Sequence, residues 1–251
     1  MSEILEVEQQ GHLLHLTLNR PEKRNALSSA LCVQLVDAFD RAQHDPQIGA
    51  VLLSANGKAF CAGMDLEEVE KGEPPGLHAA HEQLFTVGSR FSKPLVGAVG
   101  GAALGGGTGL VANCHVALAS DAAVFGLTEI RLGLWPFLVF RSVELAVGER
   151  RAVELSLTGR TFDAAEAKLM GLVHEVIPAA NLAAHSLEIA TALANSSPSA
   201  IRSGMTYVQE ARGKDWKVAG DLARRIRDEV FHGEEFREGL RAFREKRQPK
   251  W

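Results

Sequence analysis

The 251-residue sequence has only three cysteines (Cys32, Cys61 and Cys114), a single tyrosine, no surplus of positive charge and no uninterrupted apolar run of membrane-spanning length. Each shortage excludes something. An odd number of cysteines without paired spacing supplies no disulfide framework and reads as a reduced, intracellular chain. The most apolar stretch, Pro94 to Ala119, is broken by glycines, Asn113 and His115, so no membrane span is expected. The N-terminus begins acidic and alternates, where a signal peptide needs a basic start and a continuous apolar run, and a cytoplasmic protein is therefore expected. The 27 Lys+Arg against 31 Asp+Glu leave a net charge of −4, which argues against nucleic acid as the main partner, because phosphate-backbone binders carry a basic face. With 46% hydrophobic and 23% charged residues the composition is globular, which excludes disorder and collagen-like repeats, and a small-molecule substrate is expected.

Several catalytic signatures are missing too. There is no G-x-S-x-G, no cysteine in a catalytic-thiol setting and no G-x-x-x-x-G-K-[ST] loop, so nucleophilic and nucleotide chemistry lack support. His78 and His81 lie three apart and Cys114 adjoins His115, but neither pair has further ligands at a recognisable spacing; the histidines read as solvated helix residues and no metal is expected. The glycines between 100 and 109 do not meet the G-x-G-x-x-G spacing, nor do they sit in an opening βα unit.

What is present alternates. Ile4 to Val7 and then Leu14, Leu16 and Leu18 read as strands joined at Gln9-Gln10-Gly11. Ser28 or Ser29 can cap a helix whose Leu31, Leu35 and Phe39 recur every fourth residue. Short buried strands follow at Ala50 to Leu53, Pro94 to Val99, Val116 to Ala119 and Ala123 to Leu127, so an α/β fold is expected. The second half is helical by pattern from Phe137 to Arg247, with Asp163 and Glu166 as a capping box and Gly171 as a C′ residue. From Arg224 to Trp251 nine Lys/Arg and six Asp/Glu surround Ile226, Val230, Phe231, Phe236, Leu240 and Phe243. That apolar set either folds back on its own domain or packs on a neighbouring subunit.

Three segments can carry chemistry. In Gly105-Gly106-Gly107, glycines at a helix start leave bare backbone N–H groups that suit a developing anion, or else they allow a close crossing of backbone. In Ala62-Gly63-Met64-Asp65-Leu66, Gly63 can turn the chain and free the Met64 N–H ahead of an Asp65/Glu68 capping box, or the stretch is an ordinary loop. In Thr128-Glu129-Ile130-Arg131, Glu129 stands among apolar residues that would raise its pKa towards that of a useful base, unless Arg131 pairs with it.

These segments, in this order, together with Asn19 to Leu27, Leu157-Thr158-Gly159, Asp163-Ala164, Gly171-Leu172-Val173 and Lys246-Arg247-x-Pro249, resemble the enoyl-CoA hydratase/isomerase (crotonase) superfamily over practically the whole chain. The resemblance implies an α/β fold, a crotonase-like spiral of ββα units over residues 1–195 followed by a C-terminal helical trimerisation region over 196–251. It further implies acyl-CoA thioester substrates, coenzyme A as part of the substrate with no separate cofactor, and a homo-oligomer, either a trimer or a dimer of trimers. The positions that match the family's two enolate-holding N–H groups are Met64 and Gly106, and Glu129 matches one of the two glutamates of the hydratases. The other falls on Gly109, which has no side chain. Because one carboxylate suits proton shuttling, double-bond migration between C3 and C2 is the first expectation and hydration the second, with a non-catalytic CoA-ester or RNA-binding relative as a third.

The same likeness points to Lys23 and Arg24 along the pantetheine and phosphates, and to Ala26, Ala62, Gly63, Asp65, Leu66, Gly105 and Gly109 along the substrate. Trp135 and Phe137 to Phe140 are expected to wall the acyl chain, and Lys246 or Arg247 to meet the ribose phosphate. Chain-length preference depends on how the segment from Gly72 to Lys93 folds over the pocket.

Overall fold

The computed structural model describes residues 3–72 and 76–251. A hairpin opens the chain: β1 (Leu5–Gln10) and β2 (Leu13–Leu18) pair antiparallel around Gly11, whose φ of 59° suits the tight turn. Helix α1 (Ser29–His44) is capped by Ser28, which accepts from the Leu31 N–H. Then come β3 (Ala50–Ala55), β4 (Ala59–Cys61), α2 (Leu66–Glu70), α3 (Leu77–Phe85), α4 (Val87–Arg90), β5 (Leu95–Val99), β6 (Ala102–Leu104), α5 (Gly106–Ala112), β7 (Val116–Ser120) and β8 (Val124–Gly126). The remainder is α6 (Phe137–Val147), α7 (Glu149–Thr158), β9 (Thr161–Asp163), α8 (Ala164–Met170), β10 (Glu175–Ile177), α9 (Ala179–Ala194), α10 (Pro198–Ala211), α11 (Trp216–Phe231) and α12 (Glu234–Glu245).

After the opening hairpin, which joins the large sheet whole, each turn of the chain gives one strand to that sheet and one to a small sheet. The large sheet runs β1-β2-β3-β5-β7-β10, parallel from β2 onward, and the small one β4-β6-β8-β9. The inner strands β3, β5 and β7 of the large sheet are buried on both faces, which is why they read as continuous apolar runs. Val51, Leu53, Leu95 and Val99 face the main core, whereas Ala50, Leu52, Val96 and Ala98 face α9 through Leu182, Ala190 and Ala194.

Two of the expected capping boxes form only by half. Asp65 accepts from the Glu68 N–H and Asp163 from the Glu166 N–H. The glutamates do not reach back to their caps: the Glu68 carboxylate takes the N–H and hydroxyl of Ser29, tying α2 to the start of α1, and that of Glu166 pairs with Arg160. The segment expected to fold over the pocket from Gly72 to Lys93 forms α3 and α4 from Gly76 onward, while residues 73–75 lie outside the described part. Among the described residues no helix is long and apolar enough to cross a membrane.

Candidate active site

The chain from Arg20 to Leu27 forms a clamp on the Met64 segment. Arg24 and Asn25 take left-handed conformations, and the Asn25 amide donates to the carbonyls of Asn56 and Ala59 at 2.9 Å each. Arg20 donates to the Ala26 carbonyl and, at 3.0 Å, to Asp65, whose side chain is only 10% exposed. Leu27 and Met64 form a parallel bridge in which the Leu27 N–H donates to the Gly63 carbonyl and the Asp65 N–H to the Leu27 carbonyl. In a parallel bridge one residue bonds to both neighbours of the other, so the Met64 N–H is left out and points away.

Gly63 (φ 91°) and Gly105 (φ 53°) both have backbone conformations open to glycine, and they bring this loop against the start of α5. A Cβ built on Gly63 would be 3.4 Å from the Gly106 nitrogen, so the Met64 and Gly106 peptides are neighbours. Gly106 opens α5, where N–H groups have no intrahelical acceptor. Gly107 serves a different need: a Cβ there would stand 2.1 Å from the Cys61 carbonyl oxygen, so its absence lets α5 lie on β4. The close crossing that the glycine cluster allows is thus seen at Gly107, next to the helix-opening Gly106. The buried Thr108 hydroxyl locks the arrangement, lying 2.7 Å from the Ala103 carbonyl and accepting from the Gly126 N–H at 3.2 Å.

Glu129 follows β8 in a short 3-10 turn and lays its carboxyl over Gly105: a Cβ on Gly105 would be 2.9 Å from Glu129 Oε1. Arg131 does not pair with it. Among the described residues Oε2 is buried with no hydrogen-bond partner, and burial pushes the carboxyl above its usual range. Burial also pushes the Cys61 and Cys114 thiols up to about 12, which removes both as nucleophiles at neutral pH.

Glu129, Met64, Gly105 and Gly106 line one cavity of about 510 Å³, together with Leu27, Ala62, Gly63, Leu66, Trp135 and Phe137 to Val139. Its remaining wall includes α3, which contributes His78, His81 and Phe85. His81 is buried rather than solvated, and its ring lies 5.7 Å from that of Phe85. The signal in the sequence was the helical spacing of Leu77, Ala80, His81, Leu84 and Phe85, all of which turn inward.

The structure does not bring Gly109 to the cavity surface. A Cβ there would stand 2.4 Å from Val139 Cγ1 and 3.1 Å from Phe85 Cδ1, so α6 and α3 fill the space a longer side chain would need. Lys23 is exposed and held at 2.7 Å by Glu67, and the Asp65 carboxylate faces Arg20 rather than the cavity. Arg247 is tied to Glu238 and Glu245.

A family model described as enoyl-CoA hydratase/isomerase matches residues 8–251. The chain belongs to the enoyl-CoA hydratase/isomerase family. It is 36% identical to enoyl-CoA hydratase EchA19 of Mycobacterium tuberculosis, over 97% of this chain and 94% of that protein. It is 35% identical to the 2,3-dehydroadipyl-CoA hydratase of Escherichia coli, over 99% and 98%. The crystal structure of an enoyl-CoA hydratase from Bacillus anthracis superposes with a TM-score of 0.92 at 32% identity, covering 99% of both chains. The crotonase-type α/β fold is therefore present. These relatives are named hydratases, which favours hydration over the double-bond migration that stood first in the sequence reading.

Proposed function

We propose that this member of the family adds water across the double bond of a 2-enoyl-CoA thioester. The observation that carries the reading is the Glu129 carboxyl, buried and lacking a partner on Oε2, pressed against Gly105 beside the Met64 and Gly106 N–H groups. In this reading the two N–H groups hold the thioester oxygen, and the charge that collects there as the enolate forms is stabilised by about 2.7–4 kcal/mol per donor. Glu129 takes a proton from water as the water oxygen bonds to C3, and the same carboxyl delivers a proton to C2. One molecule of water is gained and Glu129 ends as it began. A carboxyl with its pKa raised by desolvation suits both halves of that exchange.

Double-bond migration is the second reading, and Gly109 is the observation that favours it. With Val139 over that glycine no second carboxylate can sit on the cavity wall there, and a lone Glu129 could take a proton from one carbon and return it to another. Incubation with 2-enoyl-CoA and 3-enoyl-CoA esters in D2O separates the two by mass spectrometry. Hydration predicts the mass of one added water from the 2-enoyl ester. Bond migration with deuterium uptake and no added water would replace it with the isomerase reading.

The reading also takes Arg24, Ala26, Ala62 and Leu66 as contacts of the CoA arm, with Lys23 released from Glu67 to meet a phosphate. Coenzyme A then enters only as part of the substrate. Residues 196–251 are proposed to serve assembly into a trimer or a dimer of trimers.

A further inference from the structure

Helix α7 contributes nothing to the cavity lining, yet its last turn leans on the segment that carries Glu129. Gly159 closes the helix in the left-handed conformation, φ 58° and ψ 16°, with its N–H donating to the Leu155 carbonyl. Ending a helix accounts for that conformation but not for what lies against it. A Cβ at Gly159 would stand 2.6 Å from Ile130 Cγ2 and 3.4 Å from Arg131 Cγ. Gly133 closes the 3-10 turn after Glu129 in a similar conformation, φ 74° and ψ 20°, and a Cβ there would meet nothing within 4 Å. The next residue after Gly159 makes a second approach: a Cβ on Gly126 would be 2.9 Å from the Arg160 carbonyl oxygen. Residues 159 and 160 therefore touch both ends of the stretch from Gly126 to Ile130 that delivers Glu129.

Both ends bear on the reacting groups. The Gly126 carbonyl accepts from the Gly105 N–H at 2.8 Å and from the Thr108 hydroxyl at 3.0 Å, which ties it to the start of α5, where the Gly106 N–H lies. At the other end the turn is bonded within itself. The Arg131 N–H donates to the Thr128 carbonyl and the Leu134 N–H to the Glu129 carbonyl, at 3.1 Å each, so a push on Ile130 carries Glu129 with it. The brace is itself anchored, because the Arg160 guanidinium pairs with Glu154 of α7 at 2.7 Å and with Glu166 of α8 at 2.6 Å. We propose that Gly159, outside the cavity, is a positioning residue: the turn it forms with Arg160 sets where the Glu129 carboxyl stands relative to the Gly106 N–H. This rests on Glu129 as the proton carrier of the proposed reaction, whether that reaction is hydration or migration. Ile130 is branched at Cβ and stiff about χ1, so its Cγ2 cannot swing freely aside. Carbon atoms rest about 3.5–4 Å apart, and a methyl at 159 therefore has to drive Ile130 back by about 1 Å.

The test uses the full chain and whichever of the 2-enoyl-CoA and 3-enoyl-CoA esters wild type converts. Gly159→Ala is expected to lower kcat by about 10²-fold, the loss that a misplacement of about 1 Å produces, with the calorimetric affinity for butanoyl-CoA changed by less than about threefold. A displaced carboxyl also meets more water, so the acid limb of the kcat–pH profile moves to lower pH; a merely less stable protein would leave the limb in place. Gly133→Ala imposes a similar left-handed strain without the contact and is expected to keep the wild-type kcat and limb. The double variant Gly159→Ala/Ile130→Ala lacks Cγ2, and it is expected to fold and to regain at least about tenfold of the lost turnover, even where Gly159→Ala alone does not fold. Wild-type kcat and limb in Gly159→Ala, an equal loss in Gly133→Ala, or no recovery of folding or turnover in the double variant would overturn the inference and leave the Glu129 reading intact. Wild-type turnover in Glu129→Gln would overturn that reading and the inference with it.

Discussion

Glu129 has a stability cost that can be measured without substrate. Its pKa is raised by desolvation, so the folded state favours the protonated form. A group raised in this way contributes stability in full below its unfolded pKa, and the contribution is lost as pH rises through the folded value. At neutral pH the wild type therefore carries a penalty that Glu129→Gln removes. The expected melting temperature of the variant exceeds that of wild type at pH 7, and the difference shrinks towards pH 4; a gap constant across that range would refute the assignment. The same variant is expected to lose about 10²–10⁴-fold in turnover with acyl-CoA binding retained, read by steady-state kinetics beside titration. The residue was legible in the sequence as a lone acid among apolar neighbours, yet its distance from Arg131 in space was not, because three-ten geometry after β8 turns the two side chains apart.

At the scale of elements, two contacts between distant segments govern the site. Helix α6 rests on α5 through Val139 against Gly109, so Gly109→Glu places atoms where Val139 stands. Overpacking of this kind costs about 1–3 kcal/mol, and chemical denaturation should show it. Because both Cγ1 and Cβ of Val139 crowd position 109, Val139→Gly is the partner change expected to recover part of the lost stability, whereas Val139→Ala leaves the Cβ in place. The second contact is the Arg20–Asp65 pair that clamps the Met64 loop, with side chains 14% and 10% exposed. Asp65→Ala leaves the Arg20 charge buried without its partner, and a loss of about 3 kcal/mol is expected in the same assay, with slower turnover because Met64 adjoins the break. The start of α1 was readable to within one residue, at Ser28 or Ser29, and α8 from Asp163 and its closing Gly171. The second halves of the capping boxes were not, since Glu68 and Glu166 answer to Ser29 and Arg160 instead of to their own helix ends.

For the whole molecule, burial is unevenly shared. Helices α10, α11 and α12 bury only Ala242, while Trp216 is 95% and Phe243 83% exposed on them. Helix α9, by contrast, buries Leu182, Ser186, Ala190 and Ala194 against the outer face of the large sheet. A terminal region this poor in buried surface needs another partner to be stable, and a second copy of the chain is the occupant proposed here. Sedimentation equilibrium at micromolar concentration is expected to give three times the 27.0 kDa of one chain, or a multiple of that. A single-chain mass would remove the assembly proposal and with it the role given to residues 196–251.

The sequence by itself determined the local and periodic features: strands with period two, helix starts at Ser28 or Ser29 and at Asp163, the bare glycines at 105 to 107 and the isolated Glu129. Each of these is a property of neighbouring residues, set by side-chain direction, capping and backbone freedom. It also carried the family, because the segments at 62–66, 105–107 and 128–129 occur together and in order. The tertiary structure alone decided which histidines face the cavity, that Glu68 holds α1 and that Val139 occupies the space beside Gly109. Those facts depend on contacts between residues tens of positions apart, and packing in three dimensions, with its close approach of backbones and filling of volume, is what sets them.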